Sequence, residues 1–270
     1  GNPVTLTWTN NQNIIFKIIF EIDQNYLFNI SQIIENKSST PIKIFPYRLI
    51  KRINLPKTIN FFILHEGLIS QLDDKLLEKK YGDLLDDCSS VSGGKKLFCD
   101  QKSTGGWLGF TDKYWMATLI PDQTKPINAN FRHGNNGRDN FRVGYVGEIM
   151  DVPSNSLSSY NGKLFAGAKN LNILTQYKNE GIPKFTDAID WGWFSFLTKP
   201  ISFAINWFYG YVENFGLAII AFTILMRLIL FPLAHTSFKS MAKMKKLQPE
   251  MQRLKETYPD DRQKMQQELM

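Results

Sequence analysis

Residues 215–234 read FGLAIIAFTILMRLILFPLA, twenty positions with a single charge, Arg227. An α-helix rises about 1.5 Å per residue, so such a run just crosses a hydrocarbon core of roughly 30 Å. Leu, Ile and Phe fill 12 of the positions. At roughly −0.3 to −0.6 kcal/mol each near the bilayer centre, they outweigh about +2.5 to +3.5 kcal/mol for one arginine. The run therefore predicts a membrane-spanning helix over 215–235 rather than a buried helix of a soluble domain. Lys239, Lys243, Lys245 and Lys246 follow at once. By the positive-inside tendency that end faces the cytoplasm, and everything before the span lies outside, in a periplasm-like space.

The segment entering the span is equally marked. In residues 191–215, 10 of 25 side chains are aromatic. Ser195, Lys199, Ser202 and Asn206 recur every three or four positions, one narrow polar stripe on an otherwise apolar helix. Trp and Tyr rings favour the headgroup level, so 188–214 reads as an amphipathic helix at a membrane interface rather than a buried core helix. Pro200 is expected in its first turn, where no hydrogen bond is lost.

Residues 1–187 are of another kind. Val4–Trp8, Asn13–Ile22 and Tyr26–Ile34 are rich in β-branched and aromatic residues and partly alternate apolar with polar. Asn, Gly, Ser and Pro clusters separate such runs, and His133–Asn140 lies between two of them as a hairpin loop. Many short strands predict an antiparallel sandwich. Two stretches break the pattern. Leu68–Leu85, charged and leucine-spaced, predicts a short helix or a surface loop. Leu171–Tyr177 predicts a helix ending near Gly181 and Pro183. Beyond the span, Met241, Met244, Leu247, Met251 and Leu254 sit at helical spacing. The YPDD turn at Tyr258–Asp261 then opens a second arm, so 236–270 reads as the start of a cytoplasmic helical hairpin.

Charge is divided in the same way. The net +7 splits into 23 basic and 20 acidic residues over 1–215, Arg227, and 8 basic with 5 acidic over 239–270. That balance does not call for a DNA-binding role. No signal peptide occupies residues 1–20, yet a β domain outside the membrane must be exported, which predicts an internal fragment of a longer membrane protein.

Arg227 is the sharpest candidate site. It is the thirteenth of the twenty residues, about 4 Å past the middle, where an ionisable group needs a partner or a water-filled cavity. The alternative is an arginine that snorkels to the headgroups or pairs with another helix. The lysines either fix topology and touch anionic lipid or dock ribosomal RNA or a protein. The methionine face reads as packing. Cys88 and Cys99 flank a Ser/Gly/Lys loop, and whether they form a disulfide is left open. A zinc site would need more ligands than the scattered His65, His133 and His235 supply, so no metal site is read. His65 or His133 with Glu66 or Glu148 could serve acid–base chemistry, but a lone histidine in a β domain is usually structural. No nucleophile-elbow, P-loop or HExxH motif appears, and no enzyme is read.

WGWFSFLTKP (191–200), RLILFP (227–232), TSFKSMAKMKKLQPEMQRLKE (236–256) and RQKMQQELM (262–270) resemble the YidC group of the Oxa-type membrane-protein insertase family, as does GGWLGFTDKYWMATLIP (105–121). The likeness is close from Trp191 onward and weak before Gly105, and the stretch 82–103 departs from it. The resemblance implies a periplasmic β-supersandwich, similar to galactose-mutarotase-like folds, and a bacterial inner-membrane protein. Further spans would lie before Gly1 and after Met270. The spans would form a hydrophilic groove holding Arg227, through which nascent transmembrane segments pass into lipid without cofactor, ATP or metal. The Sec translocon and the ribosome are implied as partners, the hairpin lysines as contacts. A second reading, resting on the sandwich alone, is a membrane-tethered carbohydrate-binding or mutarotase-like protein. A third is a structural anchor with one span.

Overall fold

The computed structural model describes residues 2–58, 64–88, 99–135 and 137–257, with backbone alone at 86, 87, 246, 247 and 250–257. The expected turn at Tyr258–Asp261 and the second hairpin arm lie outside the described residues, as do 89–98 of the cysteine-flanked loop. The chain divides into two compact units, Gly1–Gly192 and Trp193–Met270.

The first unit is built from antiparallel strands. In chain order they are β1 (Val4–Thr9), β2 (Ile14–Ile22), β3 (Leu27–Asn36), β4 (Ile42–Ile44), β5 (Tyr47–Ile53), β6 (Gly67–Leu72) and β7 (Lys75–Lys80). After helix α1 (Tyr81–Asp87) come β8 (Asp100–Thr104), β9 (Trp107–Thr111), β10 (Trp115–Pro121), β11 (Pro126–Asn135), β12 (Asp139–Gly147), β13 (Met150–Val152) and β14 (Ser156–Ala168), then helix α2 (Leu171–Asn179). Eight strands form one sheet in the order β1-β2-β3-β14-β10-β9-β6-β7, four form a second in the order β5-β12-β11-β8, and β13 pairs β4. The alternating runs at the N-terminus are β1, β2 and β3. The His133–Asn140 segment closes the β11–β12 hairpin, with Asn135 opposite Asp139.

Side chains on a strand point alternately to the two faces, and the centre of the large sheet uses both. Leu68, Leu108, Phe110 and Leu119 face a core shared with Phe131, Phe141, Val143 and Tyr145 of the small sheet. Their neighbours Ile69, Trp107 and Ile120, with Phe165, face a second core closed by Leu174 and Tyr177 of α2 and by Phe185. The Trp107 indole N–H donates to the Pro183 carbonyl at 2.9 Å, so the largest buried ring leaves no orphan donor. Asn170 caps α2, its side chain accepting from the Asn172 and Ile173 amides.

Leu68–Leu85 corrects the expectation of a helix or surface loop: it is the fully buried strand β6, the edge strand β7 and only then helix α1. Asp73 and Asp74, both at positive φ, make the two-residue hairpin turn. A strand buried on both faces does not alternate, and an edge strand carries lysines, so neither shows the half-buried pattern. Before β9, Gly106 sits at φ +85°, and a Cβ there would lie 2.2 Å from the Gln71 carbonyl oxygen. Glycine is required at that approach.

Cys88 and Cys99 form a disulfide, eleven positions apart. Both sulfur-bearing residues are buried in the inter-sheet core with Tyr81 and Leu84 of α1. The bond thus ties the helix to the strand pair beneath it, where the Cys88 carbonyl also accepts from the His133 amide at 3.0 Å. Closing a loop of this size in the unfolded chain removes about 3 kcal/mol of its entropy. Replacing both cysteines by alanine should lower unfolding free energy by about that amount, read as a lower urea midpoint of the β-sheet signal. An unchanged midpoint would mean that the bond adds no stability.

Candidate functional site

The second unit holds α3 (Ser195–Val212) and α4 (Phe215–Thr257). Glu213, in the left-handed region, ends the first, and Asn214 starts the second by accepting from the Leu217 amide at 3.2 Å and, through its carbonyl, from Ala218 at 2.9 Å. The two helices form a hairpin, with Tyr209 stacked on Phe215 at 4.3 Å.

In α3 the polar residues Ser195, Lys199, Ser202 and Asn206 are half-buried, whereas Phe196, Phe203, Trp207 and Tyr211 are exposed. This inverts the arrangement of a water-soluble helix and suits one whose outer face meets lipid. Pro200 corrects the first-turn expectation. The helix starts earlier, with the Phe194 carbonyl accepting from Leu197 and Thr198, and Pro200 is its sixth residue. The missing N–H leaves the Phe196 carbonyl without its helical donor.

α4 runs unbroken for 43 residues through Pro232 and Pro249. Its stretch Phe215–Lys245 is long and apolar enough to cross a membrane, and only 6% of its most apolar window is buried. Ala218 is buried, and Ala221, Phe222 and Met226 are half-buried. At 100° per residue these four make the stripe against α3, and Arg227 falls on the opposite face. There Arg227 is exposed among Leu228 and Phe231, which are exposed too. It has no ion-pair or hydrogen-bond partner among the described residues. One turn earlier on its face, the Thr223 hydroxyl donates to the Ile219 carbonyl at 2.7 Å and so satisfies itself within the helix. Lys245 is 18 residues beyond Arg227, about five turns, and returns to the same face roughly 27 Å along the axis. Lys239, Lys243 and Lys245 are exposed. The side chain of Lys246 lies outside the described residues.

The acid–base candidates of the β unit sit in separate surroundings, Glu66 lining a hollow with Lys80 and Tyr81. The His65 ring nitrogen Nε2 meets the Leu68 carbonyl at 2.8 Å, and its amide donates to the Asp190 carboxylate at 2.8 Å. His133, buried against Phe141, meets Asp139 at 3.0 Å across the β11–β12 hairpin. Glu148 lines a separate open hollow with Asp73 and Lys102. Around His65 lies a group of charges that the sequence did not disclose. Burial pushes the Glu78 carboxyl up, with Asp190 adding to it and His65 opposing. Burial pushes the Lys169 ammonium down, against the pull of Asp190 and Glu78. Of this group, the Asp190 carboxylate accepts from the His65 amide, and the Lys169 amide donates to the Tyr114 carbonyl. Among the described residues, no three His, Cys, Asp or Glu are grouped to hold a metal ion.

Two family models match, in tandem. Residues 1–204 match the YidC periplasmic domain, and residues 207–270 match the 60Kd inner membrane protein family. The chain belongs to the YidC family of membrane-protein insertases. The membrane protein insertase YidC of Paracoccus denitrificans is 43% identical over 272 residues, covering 100% of this chain and 42% of the relative. That of Ruegeria sp. is 40% identical over 99% of this chain and 44% of the relative. That of Granulibacter bethesdensis is 41% identical over 100% of this chain and 47% of the relative. The chain thus spans less than half the length of these YidC relatives. A galactose mutarotase related enzyme from Lactobacillus acidophilus covers 61% of this chain and 67% of its own with TM-score 0.39 and 8% identity, too slight a likeness to bear on function. The mainly antiparallel β fold with an α-helical end agrees with the sequence reading.

Arg227 is carried at a cost. In an insertion assay with residues 215–234 placed in a host protein, Arg227→Leu should favour the inserted state by about 3 kcal/mol. Equal insertion of both segments would mean that the arginine never reaches the bilayer interior.

Proposed function

We propose that this chain is the periplasmic domain, and the membrane elements that follow it, of an insertase and membrane chaperone of the bacterial inner membrane. The observation that carries the reading is a lone, exposed arginine in a membrane-length helix of a chain matched end to end by insertase relatives. An arginine with apolar neighbours and no partner is unstable in hydrocarbon and stable beside water or an acidic group. A hydrophilic groove, completed by spans of the longer protein, supplies the water. Arg227 then attracts acidic residues at the flank of a nascent segment, while the segment's apolar surface drives it sideways into lipid.

In this reading, residues 1–187 are periplasmic and 188–214 lie along the outer interface. Residues 215–235 span the membrane, and 236–270 begin a cytoplasmic hairpin. Lys239, Lys243, Lys245 and Lys246 then sit where they can meet the ribosome, the incoming chain or anionic lipid. The Sec translocon is a further proposed partner. The mutarotase-like alternative finds no support at His65 or His133, both of which serve the fold around them.

In the full-length protein reconstituted in proteoliposomes, Arg227→Ala should reduce insertion of a small, negatively charged substrate several-fold, and Arg227→Lys should retain most activity. Unimpaired insertion by Arg227→Ala would remove the proposed role of the arginine. For the hairpin, reversing Lys239, Lys243 and Lys245 to glutamate should weaken ribosome binding markedly at low salt and less at high salt, as screening predicts. Salt-independent binding, equal in both proteins, would exclude these lysines as contacts.

A further inference from the structure

The end of the large sheet from which the chain leaves the β unit carries an exposed aromatic rim with one lysine, Lys113, and a carboxylate, Asp23, which accepts from the Tyr177 hydroxyl and the Leu27 amide. Lys113, Tyr114 and Trp115 occupy the β9–β10 turn and are all exposed, Tyr114 at 62% and Trp115 at 61%. The Lys113 ammonium lies over the Tyr114 ring, 4.8 Å from its centre. The β2–β3 turn reaches the same end, because Leu27 opposes Phe165 and Trp115 opposes Ala168 on the shared strand β14. It adds Tyr26, exposed at 54%, whose carbonyl accepts from the Ala166 amide.

The rim is held rigidly. Arg52 grips both oxygens of Asp112 at 2.9 Å, and the Asp112 amide donates to the Trp115 carbonyl at 2.8 Å. The Tyr114 carbonyl accepts from the Lys169 amide at 2.8 Å. Asp112 is thereby committed to Arg52, and Lys113 forms no ion pair among the described residues. The chain exit is fixed at this end too. Gly67 pairs with Thr111, so His65 extends to the level of the turn, and its amide holds Asp190. Five residues after Asp190 the chain enters the aromatic helix α3.

From these placements we propose that the rim of Tyr26, Lys113, Tyr114 and Trp115 is a lipid-docking surface that seats the β unit on the outer face of an anionic membrane. Amphipathic rings and a cation are what a headgroup layer accepts, and exposed Trp and Tyr otherwise remain poorly solvated. A preordered turn loses little freedom on docking. The chain that leaves this end leads, through α3, to the span. The inference rests on the reading of Phe215–Lys245 as membrane-spanning.

The chain's own cysteines are joined, so one introduced thiol takes a nitroxide alone. Gln24→Cys reports beside the rim and leaves it intact, Thr124→Cys reports the far end of β10, and Ile224→Cys reports the span. The chain is reconstituted in vesicles of equal parts phosphatidylcholine and phosphatidylglycerol, and collisions with oxygen and with an aqueous nickel chelate are compared. The label at 24 should show an oxygen-to-nickel ratio several-fold above that at 124, and Lys113→Glu with Trp115→Ser should return it to the value at 124. A hydrocarbon signal at 224 with equal, aqueous signals at 24 and 124 overturns the docking and spares the span. So does lipid contact at 124 instead of 24, or a signal at 24 that the rim substitutions leave unchanged. An aqueous signal at 224 overturns both.

Discussion

Trp107 and Leu108 point to opposite sides of one strand, and most of the β unit depends on that alternation. The same division holds between Ile69 and Leu68 and between Ile120 and Leu119, so three adjacent strands are buried on both faces. The small sheet covers one side, and α2 with Phe185 covers the other. A change of register by one residue would exchange the two cores, which differ in shape and in partners. The turns and the Gly106 approach serve mainly to hold that register.

What the sequence discloses follows from how each element is buried. β1, β2 and β3 are legible because β-branched and aromatic residues recur in them beside polar ones. α2 is legible through its downstream Gly181 and Pro183. β6 is not, since burial on both faces removes the alternation, and β7 is masked by edge lysines. Pro200 misleads because the helix begins at Ser195, so a residue suited to a first turn falls in the second. Arg227 stands out because no other charge shares its run. The Lys113–Trp115 rim does not stand out, since Trp115 and the buried Trp107 look alike until the sheet is assembled. The cysteine pairing is equally silent in sequence: spacing alone does not bring Cα atoms within 5.7 Å.

The second unit obeys the opposite rule. In α3 the polar residues are half-buried and Phe196, Phe203, Trp207 and Tyr211 are exposed, a pattern that suits lipid rather than water. In that setting one guanidinium is a larger perturbation than any charge on the β unit. α4 is continuous from Phe215 to Thr257, which makes the arginine and the distal lysines parts of one rod. Pro232 lies between them and removes one helical hydrogen bond, so the rod has its weakest point between the arginine and the lysines.

The Cys88–Cys99 bond also has a temporal meaning. Thiols stay reduced in the compartment where a chain is made and pair after reaching an oxidising one. On the proposed topology, helix α1 is clamped to its strands only after the β unit has crossed to such a compartment. Until then the unit lacks its covalent tie, which favours a translocation-competent chain over a finished one. On that topology the oxidation state of two buried sulfurs is a molecular record of completed export.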